Sequence, residues 1–80
     1  MKVKIIAYGV ARDILGANQL EIDTEEGICV GDLLNLLKDK FQDFERLTSL
    51  LIAVNEEYAG DEFTLKEGDV VAIIPPVSGG

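Results

Sequence analysis

A run of five apolar residues near the end of the chain constrains the fold more than any other feature of this sequence. Val70–Ile74 is short, rich in β-branched residues and preceded by a polar turn, which predicts a buried β-strand. Pro75 and Pro76 follow at once. Because proline fixes φ and has no backbone N–H, two prolines end the hydrogen-bond ladder and keep the exit from the sheet extended. A core strand is therefore expected to lead directly into the C-terminus.

The residues after this strand predict a projecting tail. Val77 offers an apolar contact beside Ser78, and Gly79 and Gly80 have no Cβ atom, so they pass through spaces that exclude other residues. Residues 77–80 reach about 13 Å when extended, which is enough to enter a neighbouring protein's active site. We expect residues 1–74 to form one domain and residues 75–80 to be a flexible, projecting tail. The alternative is a frayed chain end whose two glycines arose by chance.

Size and charge restrict the possible functions. A chain of 80 residues forms one domain and leaves little room for an internal active-site cavity. Its apolar fraction of 48% and charged fraction of 28% are those of a globular protein. The formal net charge of -8 repels phosphate backbones and anionic lipids, so neither nucleic acid nor a membrane is an expected partner. A basic protein surface is favoured instead.

The residue types also argue against self-contained catalysis. The sequence has no histidine and one cysteine, Cys29, which excludes an internal disulfide, a zinc site of the usual type and the Ser-His and Cys-His nucleophile pairs. Its acidic pairs lack metal-loop spacing and are interpreted as a solvated face, and Cys29 as an inert thiol. The chain is expected not to be an enzyme on its own. A cytoplasmic location is expected because no signal-peptide pattern or long apolar run is present.

The first half of the chain predicts two strands and two helices. Alternation over Lys2–Tyr8 predicts a strand, Val10–Leu15 closed by Gly16 a short helix, and Asn18–Asp23 a second strand antiparallel to the first. The main helix shows apolar residues at helical spacing, with the unconventional residue Cys29 at its N-cap, where we expect fraying. These apolar residues are Val30, Leu33, Leu34, Leu37 and Phe41.

The second half predicts a short turn that buries Phe44 and Leu47, a strand over Leu50–Val54 and a short edge strand at Tyr58 and Ala59. The near-continuous hydrophobicity of Val70–Ile74 predicts that both faces of the last strand are covered. If the first and last strands are central, they lie side by side and parallel, with the helix across one face. This is an α+β fold of the β-grasp (ubiquitin-like) type, with a mixed sheet of four to five strands and one main helix.

Four apolar side chains are candidates for a surface patch where the tail emerges, namely Tyr8, Tyr58, Ile74 and Val77. Tyrosine is enriched both at protein interfaces and at the wet edges of cores. The two tyrosines therefore fit either role, and both interpretations stay open.

The sequence Pro75, Pro76, Val77, Ser78, Gly79, Gly80 resembles the tail of the molybdopterin synthase small subunit family, also called molybdopterin converting factor subunit 1. The resemblance extends over the whole chain. It includes Ala7 and Tyr8, Ala11–Gly16, Ala53–Asn55, and Leu65 with Gly68 and the residues from Asp69 to Pro76.

This resemblance implies a ubiquitin-like sulfur carrier in molybdenum cofactor biosynthesis. An E1-like enzyme would use ATP to adenylate the carboxylate of Gly80, and a sulfur donor protein would convert it to a thiocarboxylate. The tail would then enter the large subunit, in a heterotetramer of two small and two large subunits, and give sulfur to cyclic pyranopterin monophosphate. The carrier itself would bind no cofactor, since ATP belongs to its partner.

The resemblance further implies that Tyr8, Tyr58, Ile74 and Val77 line the contact with the large subunit. Ile74 stands near a position where the family often has phenylalanine or another large residue, and Cys29 near one where it usually has serine or threonine. Two alternatives remain at this point. One is a carrier or modifier for another pathway, such as thiazole synthesis, tRNA thiolation or protein conjugation, and the other is a β-grasp interaction module without sulfur chemistry.

Overall fold

The computed structural model describes residues 1–47 and 50–75. Within these ranges the chain forms a five-stranded sheet, two α-helices and one 3-10 helix. In chain order they are β1 (Lys2–Ala7), α1 (Gly9–Leu15), β2 (Gln19–Asp23), α2 (Val30–Lys40), the 3-10 helix (Gln42–Arg46), β3 (Leu51–Val54), β4 (Glu57–Tyr58) and β5 (Val70–Ile74).

The sheet has the strand order β2-β1-β5-β3-β4. The first and last strands, β1 and β5, are neighbours in the interior of the sheet and run parallel, with Ile5 opposite Val71, whereas all other pairs are antiparallel. The predicted β-grasp architecture, including the parallel central pair, is confirmed. Gly16 ends α1 in the left-handed conformation at φ 78, and its N–H donates to the Arg12 carbonyl, as expected for a glycine cap.

The core lies between one face of the sheet and α2. Val3 and Ile5 of β1 and Val71 and Ile73 of β5 are fully buried on this inner face. Helix α2 places Val30, Leu33 and Leu37 against them, at the spacing that predicted the helix, and the 3-10 helix adds the fully buried Phe44. Leu34, Phe41 and Leu47 pack at the margin.

The N-terminus of α2 is held by backbone rather than by a side chain. Cys29 makes no side-chain capping bond, as its identity predicted. The N–H of Val30 donates to the Phe63 carbonyl, and that of Gly31 to the Asp61 carbonyl, both at 2.9 Å. A Cβ atom on Gly31 would lie 3.2 Å from the Cβ of Asp61, so the loop approaches closely because residue 31 is glycine. These two backbone N–H groups therefore have hydrogen-bond partners at the helix end where the sequence predicts fraying.

The prediction that β5 is covered on both faces is wrong for the described part of the chain. Burial alternates along the strand, with Val71 and Ile73 buried and Val70, Ala72 and Ile74 only partly buried. Helices α1 and α2 both place their buried side chains in the core on the inner face. The opposite face of the sheet is apolar and open.

Candidate functional site

The open face of the sheet is the candidate functional site, and we call it the outer face. Strand register lines up Ile6, Ala72, Ala53 and Tyr58 across β1, β5, β3 and β4. The two alanines leave a shallow depression between the larger residues, with a volume of about 830 Å³. The outer face comprises Ile6, Tyr8, Leu51, Ala53, Tyr58, Val70, Ala72 and Ile74.

Large apolar side chains on this face are exposed to solvent. Tyr58 is 75% exposed, Tyr8 51% and Leu51 49%. Leu51 lies opposite Ile74 on the neighbouring strand. Ile74 and the two tyrosines line the same depression. Contiguous exposed apolar surface with aromatic residues is typical of protein–protein contacts. The sequence prediction named Tyr8, Tyr58, Ile74 and Val77 as one patch. The structure places the first three on the outer face, and Val77 lies outside the described residues.

Sequence reasoning missed several members of this face, although a signal for them was present. Ile6 breaks the strict alternation of β1 with an apolar residue on the solvent side, and Val70 and Ala72 do the same in β5. Apolar residues at positions that alternate with the core are the expected sign of a second contact surface.

The charges on the β1–β2 side of the outer face are paired. On β1 and β2, Lys2 lies opposite Asp23 and Lys4 opposite Glu21. Opposite charges facing each other across two strands offset one another locally. At the hairpin end of the outer face, Glu56 also lines the depression and adds a negative charge there.

A tight turn positions Tyr58. Asn55 and Glu56 connect β3 to β4 with φ values of 51 and 74, the left-handed conformation at both central positions that a type I′ hairpin turn requires. Asn55 also bonds outside the turn, because its side-chain amide donates to Asp69 Oδ1 at 2.9 Å and its carbonyl Oδ1 accepts from the Val70 N–H at 3.0 Å. The hairpin is thus tied to the start of β5.

The other end of β5 leads toward the tail. Pro75 is half-buried and lies beside Gly9, where an added Cβ atom would be 3.7 Å from the Pro75 Cγ. Gly9 has φ +55, a conformation that favours glycine. The N–H of Tyr8 donates to the Ile73 carbonyl at 3.3 Å, which places the Tyr8 end of the outer face next to the chain exit. The predicted tail residues Pro76, Val77, Ser78, Gly79 and Gly80 lie outside the described residues.

Neither a metal site nor a membrane-spanning helix is found in residues 1–47 and 50–75. No group of three or more histidine, cysteine, aspartate or glutamate side chains there is arranged to hold a metal ion. None of the described helices is both long and apolar enough to cross a membrane.

A model of the ThiS family matches residues 5–80. The molybdopterin synthase sulfur carrier subunit of Arabidopsis thaliana is 33% identical over 81 residues, which cover 100% of this chain and 84% of that protein.

Three solved structures share the fold. A putative molybdopterin converting factor subunit 1 from Pyrococcus furiosus superimposes with a TM-score of 0.89 at 32% identity, covering 96% of this chain and 99% of that one. Small archaeal modifier protein 1 from Methanosarcina acetivorans gives 0.84 at 28% identity, with 99% and 96% covered. A chain from the complex of subunits 1 and 2 of the molybdopterin-converting factor from Helicobacter pylori gives 0.71 at 28% identity, with both chains fully covered.

Proposed function

Because this chain belongs to the ThiS family of ubiquitin-like sulfur carriers, we propose that it is the sulfur carrier subunit of a molybdopterin synthase and acts in molybdenum cofactor biosynthesis. The structural observation that supports this best is the position of the outer face beside the start of the tail. A partner that binds the outer face is thereby brought next to the tail that carries Gly80.

The proposed chemistry takes place at the carboxylate of Gly80. A free carboxylate is a poor electrophile, so an E1-like enzyme would first join one carboxylate oxygen to the α-phosphorus of ATP and release pyrophosphate. The outer sulfur of a persulfide on a donor protein would then displace AMP from the acyl-adenylate to form an acyl disulfide. A thiol would cleave the S–S bond of that acyl disulfide, which releases the thiocarboxylate on Gly80 and leaves a disulfide between the thiol and the donor. This chain would supply the terminus and its partners the catalytic groups, in keeping with a sequence that has no histidine.

We propose that the chain is divided between a docking domain, residues 1–74, and a tail, residues 75–80, that inserts into the large subunit. On the domain, Tyr8, Tyr58 and Ile74 would contact the large subunit through the outer face. On the tail, Pro75, Pro76, Val77 and Ser78 would lead the slim Gly79 and Gly80 to the reaction site, with Val77 as a further apolar contact. The solved Helicobacter pylori complex of subunits 1 and 2 supports an assembly of this kind.

The decisive experiment is mass spectrometry of the intact chain after incubation with an E1-like enzyme, ATP and a sulfur source. We expect a mass increase equal to the exchange of one oxygen atom for one sulfur atom, located on the C-terminal peptide. A chain lacking Gly80 should show no increase, yet keep its unfolding temperature, because a projecting tail adds few buried contacts. An unmodified wild-type chain under conditions that load a known carrier would disprove the proposal.

A second candidate function is protein modification, which the likeness to small archaeal modifier protein 1 favours. In that case Gly80 would form an isopeptide bond with a lysine amine of another protein. Adducts that resist thiol reductants and disappear when Gly80 is deleted would identify this function. A free thiocarboxylate that is consumed by the large subunit would identify the first one.

A further inference from the structure

We propose that Asn55 and Asp69 are positioning residues that hold the β3–β4 hairpin, and with it Tyr58, in the geometry needed for docking on the outer face. The docking part of this inference rests on the proposed function, while the positioning part rests on contacts within the chain. Neither residue needs to touch the partner.

The pair forms a closed hydrogen-bond arrangement between two segments 14 residues apart. Asn55 uses its amide nitrogen as donor to Asp69 Oδ1, and its amide oxygen as acceptor for the Val70 N–H. The second carboxylate oxygen of Asp69 accepts from the Lys66 N–H at 2.8 Å. The backbone joins the same segments, since the Asn55 N–H donates to the Val70 carbonyl at 2.8 Å.

Asp69 is well suited to anchor this arrangement because it is buried and lies at the start of the central strand β5. It is 9% exposed. Its backbone carbonyl accepts from the Lys4 N–H at 3.0 Å, so the residue is also attached to β1. A carboxylate that receives bonds to both oxygens in a partly buried place forms stronger bonds than a neutral acceptor does.

The hairpin gains from such an anchor because it is short and its other attachments are a few backbone hydrogen bonds and the partly buried Ala59. Strand β4 has two residues at the edge of the sheet, paired through Tyr58 with Ala53 and Glu57 with Val54. Tyr58 is 75% exposed, so its own packing contributes little. Short edge elements with few buried contacts open locally at low cost in free energy. Opening would move Tyr58 away from the row it forms with Ile6, Ala72 and Ala53.

The chain offers a test in which the two side chains exchange places. In N55D a carboxylate at position 55 faces that of Asp69, so one hydrogen bond is lost and two like charges meet. In N55D/D69N the amide now at position 69 donates to the carboxylate at position 55, which still accepts from the Val70 N–H. The amide oxygen at position 69 accepts in turn from the Lys66 N–H. The exchange restores all three side-chain bonds and keeps the composition and net charge of the wild-type chain. Asparagine and aspartate both tolerate the positive φ at position 55.

Two measurements on the full chain separate positioning from general stability. Amide hydrogen exchange of Ala59, whose N–H donates to the Ile52 carbonyl at 2.9 Å, reports opening of the hairpin. Exchange of Ile5, a fully buried residue of β1 that lies opposite Leu20 of β2, reports opening of the sheet away from the hairpin. Equilibrium titration with the cognate large subunit reports docking without requiring a thiocarboxylate.

We expect N55D to accelerate Ala59 exchange about tenfold or more, with Ile5 affected less, because a charge-assisted bond is lost at the hairpin. The dissociation constant for the large subunit should rise about threefold, because only the closed hairpin binds and about two-thirds of N55D molecules then have the hairpin open, with Ala59 almost unprotected. N55D/D69N should return both quantities to within about twofold of the wild-type values, since it remakes the bonds. N55G keeps the turn conformation but removes the side chain, so it replaces N55D in the test if N55D folds poorly. It should raise the Ala59 exchange rate and the dissociation constant in the same direction.

The inference is overturned if N55D and N55G bind the large subunit as tightly as the wild-type chain, or if the exchanged pair does not recover. A purely structural role would change exchange and leave the dissociation constant unmoved, which also overturns it. A chain that follows the expected pattern yet never acquires sulfur would disprove the proposed function while supporting this inference.

Discussion

The two faces of β5 are both apolar in sequence but differ completely in the folded chain. Val71 and Ile73 on the inner face are fully buried, whereas Val70, Ala72 and Ile74 on the outer face are partly exposed. A continuous apolar run predicts a strand covered on both sides. Here the chain itself covers one side, and we interpret the apolarity of the other as the mark of a partner. The apolar residues of a strand therefore reflect contacts with a partner protein as well as contacts within the chain's own core.

The adjacent isoleucines of β5 test this comparison directly, and the inner one should show the largest effect. Ile73→Ala removes a fully buried side chain of the core cluster, so the free energy of unfolding should fall by about 2–5 kcal/mol. Chemical denaturation measures this. A loss below that range would mean that the inner face tolerates a cavity, and the contrast between the faces would lose its basis.

Tyr58→Ala should have the next largest effect, and on binding rather than stability. Tyr58 is the most exposed large apolar residue among those described and is bordered by the depression, as expected of an interface anchor. Its loss should cost about 2 kcal/mol of binding free energy with the large subunit. The unfolding midpoint should hardly change. Phe63→Ala, at another exposed aromatic residue outside this face, is the matched control and should bind normally.

Ile74→Ala sharpens the comparison because it makes the same chemical change one residue further on. The free energy of unfolding should fall by about 1 kcal/mol or less, since Ile74 is only partly buried. The affinity for the large subunit should fall by a similar amount. If Ile74→Ala destabilised the chain as much as Ile73→Ala, the outer face would be a second core and not a docking surface.

Lys4→Glu should give the smallest effect. It places a glutamate opposite Glu21 at the margin of the outer face, where like charges across two strands cost about 0.5 kcal/mol. Thermal unfolding at low salt should show a small decrease that added salt removes, because such charges are screened. A decrease that persists in high salt would indicate a packing role for the Lys4 side chain.

Local pattern was enough to predict where the elements lie. The alternation in β1, the spacing of Leu33 and Leu37 in α2 and the glycine cap at Gly16 each arise from neighbours in sequence, and each agrees with the structure. The parallel pairing of β1 and β5 also followed, because two buried strands at opposite ends of a small chain have few other arrangements.

The site was predicted less completely because its parts come from distant segments. Tyr8, Tyr58 and Ile74 were placed in one candidate patch from their residue types and the position of the tail, and the family resemblance added the contact with a large subunit. The alanine row and the Asn55–Asp69 contact depend on strand register. The backbone cap of α2 also joins distant segments, since the N–H groups of Val30 and Gly31 donate to carbonyls more than 25 residues along the chain, those of Phe63 and Asp61. No local pattern encodes such a partner.

The sequence by itself determined the strands, the main helix and the end of β5 at two prolines, since these depend on side-chain period and backbone chemistry. Only the tertiary structure decided which of two apolar faces of β5 is covered and which residues share the open one. Coverage depends on where α2 packs, and a shared face depends on register between strands far apart in the chain. Both are consequences of packing, which acts on the whole chain at once.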